Sequence, residues 1–267
     1  RKPDDLRIKL LLGTVYYALG SYEQANIQLS RFVEKVPTHL HARKLLAAVQ
    51  LKLGRGTEAY RSLKEGAGGR TNDVELLAMM GQAAMSSNNP DDAITYYKQA
   101  KKARPDAQSL QTELARAYLQ KGEYDDAIAE LKKVEGQGKT KARYVLVYTY
   151  LKKQDYKSAI RLANELVSSD PGQPTAYTVR GTVQVAMGNL TAAKKDFKKS
   201  LSHDQSFIPA LLSMGQLSFE ENNLDDAIEY YNAILANDVT NERAVLGMAM
   251  AYERKGETEK SVDLLKQ

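Results

Sequence analysis

The tetrapeptide Asp-Asp-Ala-Ile occurs three times, with its alanine at positions 93, 127 and 227. The first interval is 34 residues and the second is 100, close to three times as long. Filling the gaps gives Ala25, Ala59, Ala93, Ala127, Ala159, Ala193, Ala227 and Ser261, each 34 residues from the last except for one step of 32. A small residue held at that pitch along 267 residues leaves few folds open. Each period is a short supersecondary unit that cannot bury its own apolar face, so successive copies must stack.

Further places keep the register. Twelve residues before each small residue stand Gly13, Ala47, Gly81, Ala115, Val147, Gly181, Gly215 and Ala249. Five before stand Gly20, Gly54, Asn88, Gly122, Gln154, Gly188, Asn222 and Gly256, and three before stand Tyr22, Gly56, Pro90, Tyr124, Tyr156, Leu190, Leu224 and Thr258. Proline closes repeats at Pro37, Pro105 and Pro171. Leu110, Leu114, Ala117 and Tyr118 form one apolar face at helical spacing, and Ala127, Ile128, Leu131 and Val134 form another. Between such helices a Gly or Asn suits the left-handed residue that ends the first. Asn89 then reads as the cap of the second, with Pro90 at its first position and Asp91 and Asp92 in its first turn, where the helix dipole favours carboxylates. The repeated acids are therefore architecture, not an acid–base pair.

This pattern resembles the tetratricopeptide repeat, whose period and small, aromatic and proline places it matches over essentially the whole chain. Eight repeats start at Leu6, Leu40, Val74, Gln108, Thr140, Pro174, Ile208 and Glu242. The resemblance implies an all-α, right-handed superhelical solenoid of antiparallel helix hairpins, one array over 1–267 and about one superhelical turn long. Pro3 stands at the closing place of a repeat before residue 1, and the eighth repeat stops at Gln267 inside its second helix. An excised portion of a longer array is the expectation. Glycine runs at 66–69 and 136–138 are expected to form loops that alter the stacking locally.

Little in the chain suggests chemistry. It has no cysteine, so disulfides and thiolate catalysis are excluded. Its 38 Lys and Arg against 33 Asp and Glu permit an acidic partner without demanding one. No apolar run is long enough for a membrane helix, and Asp4, Asp5, Arg7 and Lys9 interrupt the one stretch that resembles a secretory signal. Gly138-Lys139-Thr140 has Lys133 where a phosphate loop needs its first glycine. The three histidines, His39, His41 and His203, lack companions for a metal site. No catalytic residue, metal or cofactor is expected. Lys194, Lys195, Lys198 and Lys199 read as a solvated face on a second helix, and no nucleic-acid partner is expected.

In each first helix the fourth, seventh, eighth and eleventh places turn inward, leaving the fifth, ninth and twelfth on the opposite side. In tetratricopeptide arrays that side resembles the lining of a concave groove. It nominates Tyr17, Lys44, Gln82, Met85, Arg116, Tyr144, Tyr148, Thr182, Gln216, Phe219 and Met250 as the partner-binding residues. Seven of the eight twelfth places are apolar, which suits either packing between neighbouring first helices or an amphipathic ligand. The clamp with which some family members hold a terminal carboxylate needs Lys and Asn at the fifth and ninth places. Here Lys44 is followed by Ala48, and no ninth place is Asn, so chaperone tails are not the expected ligand.

The expected function is a non-catalytic scaffold for a partner protein or peptide segment. The short fourth repeat leading to YVLVYTYL at 144–151, then RGTVQVAMGNL at 180–190 and FIPALL at 207–212, resembles the tetratricopeptide lipoproteins of the bacterial PEP-CTERM/exosortase system. That resemblance implies a Gram-negative periplasmic or outer-membrane location, a role near exopolysaccharide export and protein sorting, and membrane contact only through segments outside this sequence. The alternative is a cytoplasmic adaptor or co-chaperone.

Overall fold

A computed structural model describes residues 5–66 and 71–266. Among them the chain forms sixteen α-helices in eight consecutive pairs. The pairs are α1 (Leu6–Ala18) with α2 (Tyr22–Lys35), α3 (Leu40–Lys52) with α4 (Gly56–Gly66), α5 (Val74–Ser86) with α6 (Pro90–Ala103), and α7 (Gln108–Lys121) with α8 (Tyr124–Lys132). Then come α9 (Lys139–Lys152) with α10 (Tyr156–Ser169), α11 (Pro174–Ala186) with α12 (Leu190–His203), α13 (Ile208–Glu220) with α14 (Leu224–Leu235), and α15 (Glu242–Lys255) with α16 (Thr258–Lys266). The chain packs as two compact units, Arg1–Val145 and Leu146–Gln267, divided inside α9.

The register is kept almost to the residue. All eight second helices begin three places before the repeating small residue. Seven first helices begin at the expected repeat start, and α9 begins one residue early, at Lys139. Every residue at the hairpin bend has positive φ, including Asn88 (59°), Gln154 (63°) and Asn222 (63°). Glycine fills the other five bends because it adopts this conformation without a Cβ penalty. Gln154 is the exception in chemistry, and it stands in the repeat displaced by the shortened period.

Two details differ from the sequence reading. Asn89 occupies the cap position of α6, but its side chain makes no capping bond and donates instead to Ser87 Oγ at 3.1 Å. Gly136–Gly138 is a 3₁₀ turn running straight into α9, not an open loop. The other glycine run, together with Pro3 and Gln267, involves residues outside those described.

Within each hairpin the two small places set the approach of the helices. All seven alanines of the repeating series are fully buried, and Ser261 nearly so. A Cβ on Gly81 would lie 2.7 Å from the Tyr97 ring, on Gly181 2.5 Å from Phe197, and on Gly215 2.7 Å from Tyr231. Each ring stands four residues after the repeating alanine. Where the facing residue is Ala47 or Ala115 the same place holds Leu63 or Leu131, and where it is Val147 the place holds Ala163. Volume lost on one helix is thus restored on the other, which keeps the interface close-packed.

Between hairpins the third and tenth places of the first helix do most of the work. Ala42, Leu76, Leu110, Ala142, Ala176, Ala210 and Ala244 at the third are buried, as are Val49, Ala83, Ala117, Thr149, Val183, Leu217 and Ala251 at the tenth. Their counterparts in α1, Ile8 and Val15, are 46% and 44% exposed. In unit 1, α2 and α3 share a core of Ala25, Leu29, Phe32, Ala42, Leu46 and Val49. In unit 2, Leu211, Ala227, Tyr231, Ile234, Ala244 and Met248 join α13, α14 and α15.

The repeated acids gain a second role from this stacking. The carboxylate two places before the repeating alanine reaches a cation of the next repeat. Glu23 meets Arg55 at 2.8 Å, Asp91 meets Lys121 at 2.8 Å, and Asp225 meets Lys255 at 2.5 Å. These pairs lie at the surface and contribute little stability beyond favouring one register.

The hairpin contact yields a sign test. Gly181→Ala should destabilise the protein, because overpacking costs about 1–3 kcal/mol against a helix-propensity gain of about 1 kcal/mol. In a Phe197→Leu background, which recreates the Ala–Leu pairing of Ala47 with Leu63 and Ala115 with Leu131, the same change should stabilise. Urea denaturation of the four proteins measures both signs.

Candidate functional site

The ninth places are mostly exposed. Thr14, Gln82, Tyr148, Thr182, Gln216 and Met250 are exposed, while Ala48 and Arg116 are half-buried. The fifth places are more enclosed, with Thr112 and Thr178 buried. Thr178 Oγ1 bonds to Ser200 Oγ at 2.9 Å, and Ser200 in turn donates to the Pro174 carbonyl at 2.9 Å, so this threonine serves the hairpin and not a groove. The twelfth places, Glu253 apart, are half-buried. Successive first helices touch one another directly, α1 with α3, α3 with α5, α11 with α13 and α13 with α15. Leu51 and Val185 of the apolar twelfth-place stripe pack against buried core residues, while Phe219 lines a groove.

In unit 2 four nominated residues come together. Gln216, Phe219 and Met250, with Leu212 and Leu246, line a groove of about 440 Å³ floored by the Tyr231 ring, with Arg243 and Glu220 alongside. Leu246 and Met250 are 55% and 53% exposed, an unusual degree for apolar side chains one helical turn apart. Thr182 lines a smaller cleft of about 120 Å³ that shares Gln216 and Glu220 with the first. Its hydroxyl donates back to the Thr178 carbonyl at 2.9 Å. Gln216 Nε2 bonds Glu220 at 3.0 Å, and the Arg254 guanidinium lies 3.7 Å over the Phe219 ring. Sequence reasoning passed over Arg243, Glu220 and Gly247. Gly247 had a legible signal, since its place holds Leu11, Leu45, Met79, Val145 and Val179 in other repeats. A Cβ there would lie 2.5 Å from Tyr231, so the missing side chain lets that ring pack close against α15 at the base of the groove. Tyr148, 49% exposed with Lys152 Nζ 5.4 Å from its ring centre, belongs to the same unit.

In unit 1 Tyr17 and Lys44 line a cleft of about 500 Å³ with Leu45, Ala48, Glu75 and Met79. Tyr17 is half-buried and tilted against Tyr22, with ring centres 6.0 Å apart. Lys44 departs most from its expected part. Its ammonium is held by Asp73 and Glu75, each at 2.7 Å, and its side chain is only 15% exposed. Burial opposes the charge, but the bonds to Asp73 and Glu75 outweigh it and hold the Lys44 pKa above its ordinary value. Those contacts already occupy the ammonium that a ligand carboxylate would need. Gln82 is exposed, Met85 and Tyr144 are half-buried, and Arg116 lies 4.0 Å from Glu113 with its Nε enclosed and without a hydrogen-bond partner.

Two of the three histidines have structural duties. His39 Nδ1 accepts from the Ala42 amide at 3.2 Å at the start of α3, and His203 stacks on Tyr177 with ring centres 5.5 Å apart. Among the described residues no group of three His, Cys, Asp or Glu is placed to hold a metal ion, and no helix is long and apolar enough to cross a membrane.

Paired antiparallel helices stacked at a fixed pitch, with a ladder of exposed side chains along one line of the first helices, define a helical-repeat protein of the α-solenoid class. Tetratricopeptide repeat profiles match residues 10–69, 78–142, 178–242 and 212–267, and a further one matches 140–173. The chain belongs to the tetratricopeptide repeat family.

A TPR repeat-containing protein of Methanocaldococcus jannaschii is 23% identical over 94% of this chain and 47% of its own length. Hsp70-Hsp90 organizing protein 2 of Arabidopsis thaliana is 23% identical over 91% of this chain and 43% of its own. The chain thus spans about half the length of the curated relatives it matches. A tetratricopeptide repeat protein from Parabacteroides merdae superposes with a TM-score of 0.72 at 16% identity, covering 92% of this chain and 98% of that one. At that identity the likeness concerns the fold.

Asp73 links cleft and scaffold, since it also caps α5 by accepting from the Leu76 amide at 3.1 Å. Its bond to Lys44, then that to Leu76, holds its pKa below the ordinary value. A carboxylate with a lowered folded pKa stabilises above its unfolded pKa, and that contribution disappears as pH falls through the folded value. Asp73→Ala should cost about 0.5–2 kcal/mol at neutral pH. The difference from wild type should shrink in acid below the ordinary Asp range, as paired thermal melts across pH would show.

Proposed function

We propose that this chain is a non-catalytic scaffold that grips an amphipathic segment of a partner protein along the exposed ladder of its first helices. The observation that carries this reading is the unit 2 groove, where Leu246 and Met250 stand exposed beside Phe219 over the face of Tyr231. Soluble proteins rarely leave such side chains clustered in a concavity unless something covers them. An aliphatic or aromatic side chain of the partner would seat on the Tyr231 ring, while Arg243 and Glu220 supply polar contacts at its edge. Tyr148, in the same unit, is a further anchor, since exposed aromatic side chains contribute strongly to binding energy when a partner desolvates them. Family membership supports the general role, because tetratricopeptide repeat proteins bind protein or peptide partners.

Similarity to Hsp70-Hsp90 organizing proteins supports an adaptor or co-chaperone as the alternative. The engagement of Lys44 by Asp73 and Glu75, and the lack of Asn at every ninth place, favour a ligand other than a terminal carboxylate. For the setting, the resemblance to exosortase-system lipoproteins leads us to place the scaffold at the periplasmic face or outer membrane of a Gram-negative cell, in exopolysaccharide or protein-sorting assembly. A cytoplasmic setting is the rival.

A photo-crosslinking side chain at Met250 or Tyr148, in the full-length protein in its native host, should give one discrete adduct. Met250→Asp, at an exposed site, should weaken capture through Tyr148 by at least about tenfold, a loss of about 1.4 kcal/mol, and leave the melting temperature unchanged. Equal adduct yield from crosslinkers on the second helices, or capture insensitive to Met250→Asp, would count against the groove. Protease protection in intact cells and spheroplasts separates the two compartments.

A further inference from the structure

A second concavity, sharing no residue with the grooves above, lies where α11 meets α12. It has a volume of about 460 Å³. Its floor is an ion pair: Arg180 Nε and NH2 grip Asp196 at 2.8 and 2.6 Å, and Asp196 is buried. The Arg180 guanidinium lies 5.7 Å from the Tyr177 ring centre, and Tyr177 also stacks with His203 and donates its hydroxyl to the Pro171 carbonyl at 3.0 Å. Floor and wall are therefore fixed and electrically balanced.

The rim is not balanced. Lys195, Lys198 and Lys199 line the cleft and are exposed, and none forms an ion pair among the described residues. The adjoining Lys194 is already taken by Glu221. Some cations of other second helices do meet carboxylates, as Lys101 meets Glu130 at 2.5 Å and Lys260 meets Glu257 at 2.6 Å. Ammonium groups three and four residues apart on one helix repel each other. A local conflict of this kind, kept around a cleft with a fixed and charge-balanced floor, marks a site adapted to something outside it.

We propose that this cleft docks an acidic segment of a partner polypeptide in extended conformation. Lys195 and Lys199 are separated along the helix axis by about 6 Å, close to the repeat of about 6.6 Å between alternate side chains of an extended strand. Alternate carboxylates of the segment thus meet successive lysines. A nucleic acid would need exposed rings for base stacking, whereas the Tyr177 ring here is buried between Arg180 and His203. An anionic membrane presents a broad surface that would not enter a recess between two helices.

The test is fluorescence anisotropy of a labelled peptide of alternating Glu and Gly against the full chain. Binding should weaken at least about tenfold between low and physiological salt, as contacts between exposed charges are screened. The Lys195→Glu/Lys198→Glu/Lys199→Glu variant should lose binding by about tenfold or more. Gln substitutions at the same places should give an intermediate loss, and Met250→Asp none. Removing like charges relieves repulsion, so a melting temperature at or above wild type in the Gln variant keeps a binding loss attributable to the cleft. No binding by wild type, equal binding by the triple Glu variant, or tighter lysine-dependent binding to phosphatidylserine vesicles or a single-stranded oligonucleotide would overturn the proposal.

Discussion

The architecture depends on how closely the two helices of each hairpin approach at one point. There, in every hairpin but the fifth, a glycine or alanine of the first helix lies under a large side chain of the second, with the repeating small residue buried nearby. The pairing of Gly181 with Phe197, Ala115 with Leu131 and Val147 with Ala163 keeps the local volume nearly constant while the residues change. Close packing makes this a strict condition, because a methyl group added on one side has no space to enter. The 34-residue pitch follows, since a hairpin out of register would bring large against large and leave small against small.

Consequences run outward from that contact. With one face of the first helix committed to its hairpin partner and the third and tenth places committed to the preceding repeat, the ninth place is left to the solvent. Chemistry is then free to vary there, and it does: Thr14, Gln82, Tyr148, Gln216 and Met250 share a geometry and little else. In the unit 2 groove Gly247 withholds a side chain and lets the Tyr231 ring pack against α15 to form the base. The second helices offer a separate surface, where the lysine rim of α12 stands over the Arg180–Asp196 pair. One repeat pattern therefore carries two surfaces of opposite chemistry, one apolar and one cationic.

Much of this was legible in the sequence because it follows from spacing. The helix starts, the left-handed bends and the buried small residues all repeat, so agreement among eight copies fixed them. Features arising from contacts between repeats were harder to read. The fifth place of repeat 2 predicts a solvent-facing Lys44, yet Asp73 and Glu75 of the next repeat fold over it. Thr178 turned to Ser200 of its own hairpin, a partner that the periodicity does not single out. The burial of the third and tenth places was read only in repeat 4, where Leu110 and Ala117 belong to the apolar face, and its generality escaped a reading confined to the faces within one hairpin. Asn89 shows the limit of cap rules, since its amide found Ser87 in place of the helix start.

The most direct test is to remove one repeat in register. Deleting residues 74–107 takes out one full period and rejoins chemically equivalent bends, whereas deleting 74–104 removes nearly as much chain and breaks the register. If stacked hairpins at this pitch hold the structure, the first deletion retains the helical circular dichroism per residue and a cooperative melt, and the second loses the cooperative melt. Indistinguishable melts from the two deletions would contradict the account.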